Sequence, residues 1–263
     1  MICFPNAKIN LGLQVTRRRE DGFHNLRSVF FPVPLFDALE FKRSDKYSLT
    51  IWKQQSAEIQ QNNLITKAWQ LLVRHYNIPP VEVHLLKNIP LKSGLGGGSA
   101  DALFFVREVL SFFNIEIDKK KQLKIAVELC SDCSFFSYNK PAYVIGRGNV
   151  VEPVGLNLSG YYLMLVFPPE TVSTPEAFKR IIPKAPEYNL KKLVLEKDFS
   201  AWRKSLVNDF ESVLPQQLLN IKTELYRAGA LYASLTGSGS AFYGIFDRKP
   251  NRFDLYPATT VLL

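Results

Sequence analysis

The stretch Pro90-Leu91-Lys92-Ser93-Gly94-Leu95-Gly96-Gly97-Gly98-Ser99-Ala100-Asp101-Ala102 decides how this 263-residue chain is read. Four of the chain's 14 glycines fall between residues 94 and 98. Upstream, Val81-Glu82-Val83-His84-Leu85-Leu86-Lys87 alternates as a strand; downstream, Ala100, Leu103, Phe104 and residues 106–113 predict an apolar helix. The glycines therefore sit where a strand hands over to a helix. Glycine permits φ > 0 and lets a bulky anion approach backbone N–H groups. A helix start adds unpaired N–H donors and the positive end of its dipole. Together these make a cradle for a polyphosphate, with Ser99 placed to cap the helix or to set a hydroxyl on a phosphate or Mg²⁺. No Lys follows the glycines, as G-x-x-x-x-G-K-[ST] requires, and Gly94-x-Gly96 is followed by Ser99 where G-x-G-x-x-G needs glycine. A ligand-free turn that merely caps a helix would use the same glycines; Lys92 and the apolar flanks favour the cradle.

Outward from this turn the chain reads as mixed strands and helices. Residues 28–33 and 37–41 predict strands broken by Pro34, and residues 47–51 a third. Leu64, Ala68 and Leu72 share a helical face, which predicts a helix from about Asn62 to Tyr76, ended by Ile78-Pro79-Pro80. Asp118 is the expected N-cap of a helix carrying Leu123, Ala126, Val127 and Leu129. Residues 142–151 predict a hairpin turning at Gly146-Arg147-Gly148. Pro153, Gly155 and Gly160 mark a boundary, after which strands are expected at 161–167 and 241–246 and helices at 175–182, 201–209 and 215–228. The pattern is that of two α+β domains.

Lys+Arg minus Asp+Glu is 33 − 24, or +9, with 46% apolar and 22% charged residues. That composition excludes a chain too polar to fold. The positive charge is dispersed, with Arg17-Arg18-Arg19 and Lys119-Lys120-Lys121 its only three-residue runs, so it signals a preference for anions and no more. No apolar run reaches the ~18 residues of a membrane span. Residues 1–8 carry no basic-then-apolar leader, and three cysteines make no disulfide framework, so a reducing cytoplasm is the expected setting. Cys130-x-x-Cys133 raises a metal or redox reading. Zinc wants four ligands, and Cys3 with His24, His75 and His84 offers no second ligand pair. A thioredoxin-like pair would open a helix, whereas this one follows an expected helix. No metal ligand is assigned.

Residues 90–102 resemble the P-x-x-x-G-L-G-G-G-S-A-[DS]-A signature of the GHMP small-molecule kinases. Supporting matches occur in the family's order over nearly the whole chain: Pro5–Leu11, Arg19–Leu26, Asn62-Asn63-Leu64, Ser131-Asp132-Cys133, Gly146-Arg147-Gly148, Ser173–Phe178, Asn208–Glu211 and Leu235–Ser240. The resemblance implies a ribosomal-protein-S5-domain-2-like N-terminal domain, here 1–153, and a ferredoxin-like C-terminal domain, here 154–263. It also implies ATP, with Mg²⁺ accompanying it, and transfer of the γ-phosphoryl group to an alcohol. The two N-terminal motifs are similar to those of the branch whose acceptor is the 2-hydroxyl of a cytidine-diphosphate-linked methylerythritol, in the non-mevalonate isoprenoid pathway.

Residue by residue, the resemblance implies that Asp132 and Lys8 are the catalytic pair. Residues Pro90, Leu91, Lys92, Ser93, Gly94, Leu95, Gly96, Gly97, Gly98, Ser99 and Ala100 would hold the ATP phosphates, with Asn63 near the adenine. Phe23 and His24 would hold the cytosine, Phe178 its opposite face, and Asn10 and Thr174 polar groups of the substrate. Gly237, Ser238 and Gly239 would form a second phosphate-facing turn. The chain departs from the family pattern at Cys130, where glycine is usual, and at Ser134, where proline is. Two other readings compete: a related kinase acting on homoserine or a mevalonate derivative, which needs no aromatic slot, and a non-catalytic RNA-binding module, which needs clustered basic residues interleaved with exposed aromatics.

Overall fold

The computed structural model describes residues 1–53, 63–170 and 173–263. Contacts group them into two compact units: residues 1–7, 35–91 and 96–139 form the first, and residues 8–34, 92–95 and 140–263 the second. Compactness thus divides the chain differently from the expected cut at 153/154, which stays a proposal about family domains.

The first unit holds the sheet β1 (Ile2–Cys3), β4 (Ala38–Arg43), β6 (Val81–Leu86), β5 (Ser48–Trp52), in that spatial order. β4 runs antiparallel to β6 and β5 parallel to it. A parallel neighbour requires a crossover, and α1 (Leu64–Tyr76) supplies it. Asn62, the expected helix start, lies outside the described residues. Asn63 is the N-cap, its side chain accepting from the Ile65 N–H, and Asn77 in left-handed backbone ends the helix before Pro79. Val81, Val83 and Leu85 alternate inward along β6. The chain then passes through the glycine turn into α2 (Gly97–Phe112). This helix is apolar on most sides because it packs against α1, α3 (Lys119–Leu129) and α4 (Cys133–Phe136). Asp118 caps α3 as expected, accepting from the Lys121 N–H at 2.7 Å.

The second unit contains two sheets. β2 (Asn6–Arg18, from Lys8 onward), β3 (His24–Phe36), β7 (Ala142–Gly146) and β8 (Val150–Pro153) form one. β3 continues through Pro34 instead of breaking there, because only Leu26–Phe30 pair with β7 and the prolines lie beyond that ladder. The other sheet has the order β10 (Tyr232–Leu235), β11 (Phe242–Phe246), β9 (Tyr162–Val166), β12 (Ala258–Leu262), with every neighbouring pair antiparallel. Its first strand in sequence is flanked by the third and fourth, the ferredoxin-like arrangement. Here α5 (Thr174–Arg180), α6 (Leu190–Leu195), α7 (Phe199–Ser205), a 3₁₀ turn (Asp209–Val213) and α8 (Gln216–Arg227) precede β10. The helix expected at 201–209 is α7, which ends at Ser205, followed by the separately capped 3₁₀ turn: Asp198 caps α7 and Asn208 caps the turn.

Candidate active site

Within the second unit, β2 places Lys8 and Asn10 two residues apart, hence on one face, and both are buried. The Lys8 ammonium donates to Asn10 Oδ1 at 2.7 Å and to the Gly94 carbonyl at 2.8 Å, and sits 4.7 Å from the Phe30 ring centroid. Asn10 Oδ1 also accepts from the Gly237 N–H at 2.9 Å and the Thr236 hydroxyl at 3.2 Å, while its amide nitrogen donates to Ser28 Oγ at 3.0 Å. Asn10 is therefore a hub that fixes Lys8.

The loop 92–95 is pinned from both sides. Leu95 offers its carbonyl to the Lys8 N–H at 2.9 Å, and Ser93 offers its own to the Ala241 N–H at 3.2 Å. Gly94 has φ +78, and a Cβ there would stand 2.1 Å from the Thr236 carbonyl oxygen. Gly237 has φ +59, and its Cβ would stand 3.0 Å from the Gly94 Cα. The two glycine turns thus lie back to back, each requiring glycine. Asn208 braces the second turn: its amide donates to the carbonyls of Leu235 at 3.1 Å and Gly237 at 2.8 Å. Glu211 accepts from the Leu235 N–H at 3.1 Å and the Ser234 hydroxyl at 3.0 Å. Thr174 and Ser238, expected to face substrate and phosphate, meet through their hydroxyls at 2.8 Å.

His24 and Phe178 also meet, but more closely than a base slot allows. Their rings stack at 5.1 Å and 26°, whereas a base between them needs two van der Waals separations, about 7 Å in all. A base would part these rings or lie beside them. Phe23 is exposed and carries the Arg147 guanidinium 4.7 Å from its ring centroid. Burial, then Arg18, lowers the His24 pKa, so at neutral pH its ring has one donor and one acceptor nitrogen.

In the first unit, α2 starts without a side-chain cap. Gly96, left-handed at φ 72, holds the N-cap position, and Ser99 lies inside the helix, so Ser99 does not cap it. A Cβ at Gly97 would strike Ile89 Cγ2 at 2.9 Å, whereas one at Gly98 would, among the described residues, meet nothing closer than Leu64 Cδ1 at 4.0 Å. Gly98 is exposed and Ser99 half-buried. Asp132 is the N-cap of α4, its carbonyl accepting from the Phe135 N–H at 3.1 Å, and is half-buried. Cys130 and Cys133 are joined by a disulfide across it, a single bridge in a chain whose three cysteines predicted no disulfide framework. Cys130 is the C-cap of α3 while Cys133 opens α4, so the pair does more than follow a helix.

Sequence reasoning missed one cluster. The buried Lys87 ammonium lies between Asp37 and Asp101, bonding Asp37 and reaching Asp101 at 2.7 Å. Asp37 also accepts from the N–H groups of Asn88 at 2.6 Å and Ile89 at 2.8 Å. The cluster joins the end of β6 to the first turns of α2. Burial pushes the Asp101 carboxyl up to about 7 against the pull of Lys87. Among the described residues, no three His, Cys, Asp or Glu groups converge as a metal site, and no helix is long and apolar enough to cross a membrane.

Two family models match the chain: the GHMP kinases N terminal domain over residues 63–140 and the GHMP kinases C terminal domain over residues 190–256. A 4-diphosphocytidyl-2-C-methyl-D-erythritol kinase of Parabacteroides distasonis is 47% identical, over 96% of this chain and 94% of that protein. One from Bacteroides fragilis is 46% identical over 98% and 97%. A crystal structure of a 4-(cytidine 5'-diphospho)-2C-methyl-D-erythritol kinase superposes with a TM-score of 0.77 at 28% identity, covering 93% of this chain and 90% of that one. The mevalonate kinase of Methanococcus jannaschii shares the fold at a TM-score of 0.70 and 16% identity, covering 94% and 90%.

Proposed function

The chain belongs to the GHMP kinases, and on that premise we propose that it transfers the γ-phosphoryl group of ATP to the 2-hydroxyl of 4-diphosphocytidyl-2-C-methyl-D-erythritol, a step of the non-mevalonate isoprenoid pathway. It is a two-domain α+β kinase. The observation that carries the choice of acceptor is the near-full-length identity to enzymes of that name.

Phosphoryl transfer is mostly positioning and charge stabilisation around an in-line attack. Residues 90–100 receive the triphosphate; the uncapped start of α2, and room at Gly98 that none of the described residues fills, support this role. Lys8 keeps its ammonium in a fixed, desolvated place, where charge counts for more than in water. Asp132 orients the acceptor hydroxyl and takes its proton. Phe23 and His24, with Phe178, receive the cytosine; Arg147 adds a cation over the Phe23 face. Asn63 lies at the adenine, Thr174 and Asn10 at polar groups of the acceptor. Mg²⁺ accompanying ATP would neutralise phosphate charge, and Ser99 is the hydroxyl of this chain that would hold it.

The test is ADP release from purified protein and MgATP with three acceptors: the cytidine-diphosphate-linked methylerythritol, homoserine and mevalonate. Turnover confined to the first supports the reading. Turnover of homoserine or mevalonate instead assigns a different acceptor, and salt-sensitive RNA binding without any transfer removes the kinase reading.

A further inference from the structure

Ser131 and Asp132 are enclosed in a four-residue ring closed by the Cys130–Cys133 disulfide, whose Cα atoms stand 5.3 Å apart, within the ordinary range for such bonds. Each end of the ring is also the end of a helix. Cys130 terminates α3, its N–H donating to the Ala126 carbonyl at 3.1 Å, and Cys133 is the first residue of α4. The two sulfurs differ in access: Cys133 is fully buried, whereas Cys130 is half-exposed. Cys133 Sγ lies 3.7 Å from the carbonyl oxygen of Ser99, in the first turn of α2. A disulfide sulfur has no proton to give that oxygen; a thiol does.

We propose that Cys130 and Cys133 form a reversible dithiol–disulfide site that sets the placement of Asp132, the oxidised form being the faster catalyst. This rests on the proposed role of Asp132. The exchange partner is a low-molecular-weight thiol or its disulfide. Its thiolate attacks the accessible Cys130 sulfur, forming a mixed disulfide while the Cys130–Cys133 bond breaks. Cys133 leaves as thiolate and takes a proton from water. A second thiol then attacks the partner sulfur of the mixed disulfide and releases Cys130, which is protonated in turn. Net, one protein disulfide becomes two thiols and two small thiols become one disulfide; oxidation is the reverse.

The direction follows from the local structure. With the ring closed, the backbone on both sides of Asp132 is fixed to two helix ends, so the carboxylate is preorganised. With the ring open, Ser131 and Asp132 regain freedom, and the new Cys133 thiol donates to the Ser99 carbonyl, drawing α4 toward α2. The new bond reaches the Ser99 backbone at the end of the phosphate-binding segment and none of its glycines, so the larger effect belongs in kcat and the smaller in KM for ATP. Cys3 does not compete: it is buried, and burial first and Glu108 next push its thiol up to about 12.

The test equilibrates the whole protein in glutathione buffers from fully reduced to fully oxidised. Intact mass and thiol count read the bridge without any substrate, and kcat and KM for ATP are measured with the acceptor the protein phosphorylates. The expected result is loss of two hydrogens and two thiols on oxidation, with kcat about tenfold higher in the oxidised protein and a smaller change in KM for ATP. C130S and C130S/C133S should be insensitive to the buffer and turn over like the reduced protein. The proposal is overturned if both thiols persist under oxidised glutathione, if kcat is equal in the two fully converted forms, or if the double variant still responds. Asp132→Ala in both buffers separates the two readings: full turnover by that variant removes Asp132 from the chemistry, while the mass and thiol count still decide whether the bridge forms.

Discussion

Gly94 and Gly98 stand four residues apart in one turn and are glycine for opposite reasons. At Gly94 a side chain would collide with the Thr236 carbonyl, and the backbone is left-handed besides. At Gly98 none of the described residues comes closer than Leu64 Cδ1 at 4.0 Å, and the backbone is helical. The first glycine is demanded by the protein's own packing, whereas the second leaves room that none of the described residues fills. A glycine count cannot separate these cases; the distance to the nearest neighbour can.

The contrast can be broken in four places, from the largest effect to the smallest. Lys8→Met removes the ammonium that the packed side of the turn holds in position; a loss of ~100-fold or more in kcat is expected, with the fold retained by circular dichroism. Gly94→Ala combines overpacking against backbone with positive φ and should lower stability by about 3 kcal/mol or more in urea unfolding. Equal stability of Gly94→Ala and wild type would dissolve the distinction. Gly98→Ala should do the reverse. It adds helix propensity, raising stability by about 0.5–1 kcal/mol, while its methyl group intrudes on the phosphate and raises KM for ATP about tenfold. Unchanged KM would mean that the open side faces no ligand. The smallest effect concerns the buried cluster behind the turn. The Asp101 carboxyl is raised by burial, so between about pH 4 and about 7 the folded state retains a proton that the unfolded state has lost. Its contribution to stability is therefore present below the unfolded pKa and is lost as pH rises to about 7. Asp101→Asn should flatten that part of the stability curve, read as Tm against pH.

Much of this was legible in the sequence, for reasons that differ from element to element. The strand–glycine–helix order was legible because each part carries its own period and the glycines interrupt both. The thirteen-residue β2 is equally plain in the alternation of Ala7, Ile9, Leu11, Leu13 and Val15, yet it is absent from the expected strands. Its other face holds Lys8, Asn10 and Gln14, which look solvated in sequence and are buried in the fold. The Asp37–Lys87–Asp101 cluster was not legible, since its members come from three separated positions and each alone is an ordinary charge. In sequence, zinc asks for ligands elsewhere and a thioredoxin-like pair for the start of a helix, whereas Cys130 and Cys133 span the turn between two helices. The aromatics show the opposite limit: the family resemblance implies a stacking site, but the distance between His24 and Phe178 is a property of the packed chain.

The back-to-back contact of Gly94 with Gly237 has a consequence for the history and engineering of this chain. Two bends that share one surface cannot be lengthened independently. An extra residue near position 237 would displace Gly94 and, through its carbonyl, the amine of Lys8. Diversification of this scaffold is thus steered away from these bends and toward segments that bear on neither, and a designer grafting new specificity should leave both lengths untouched.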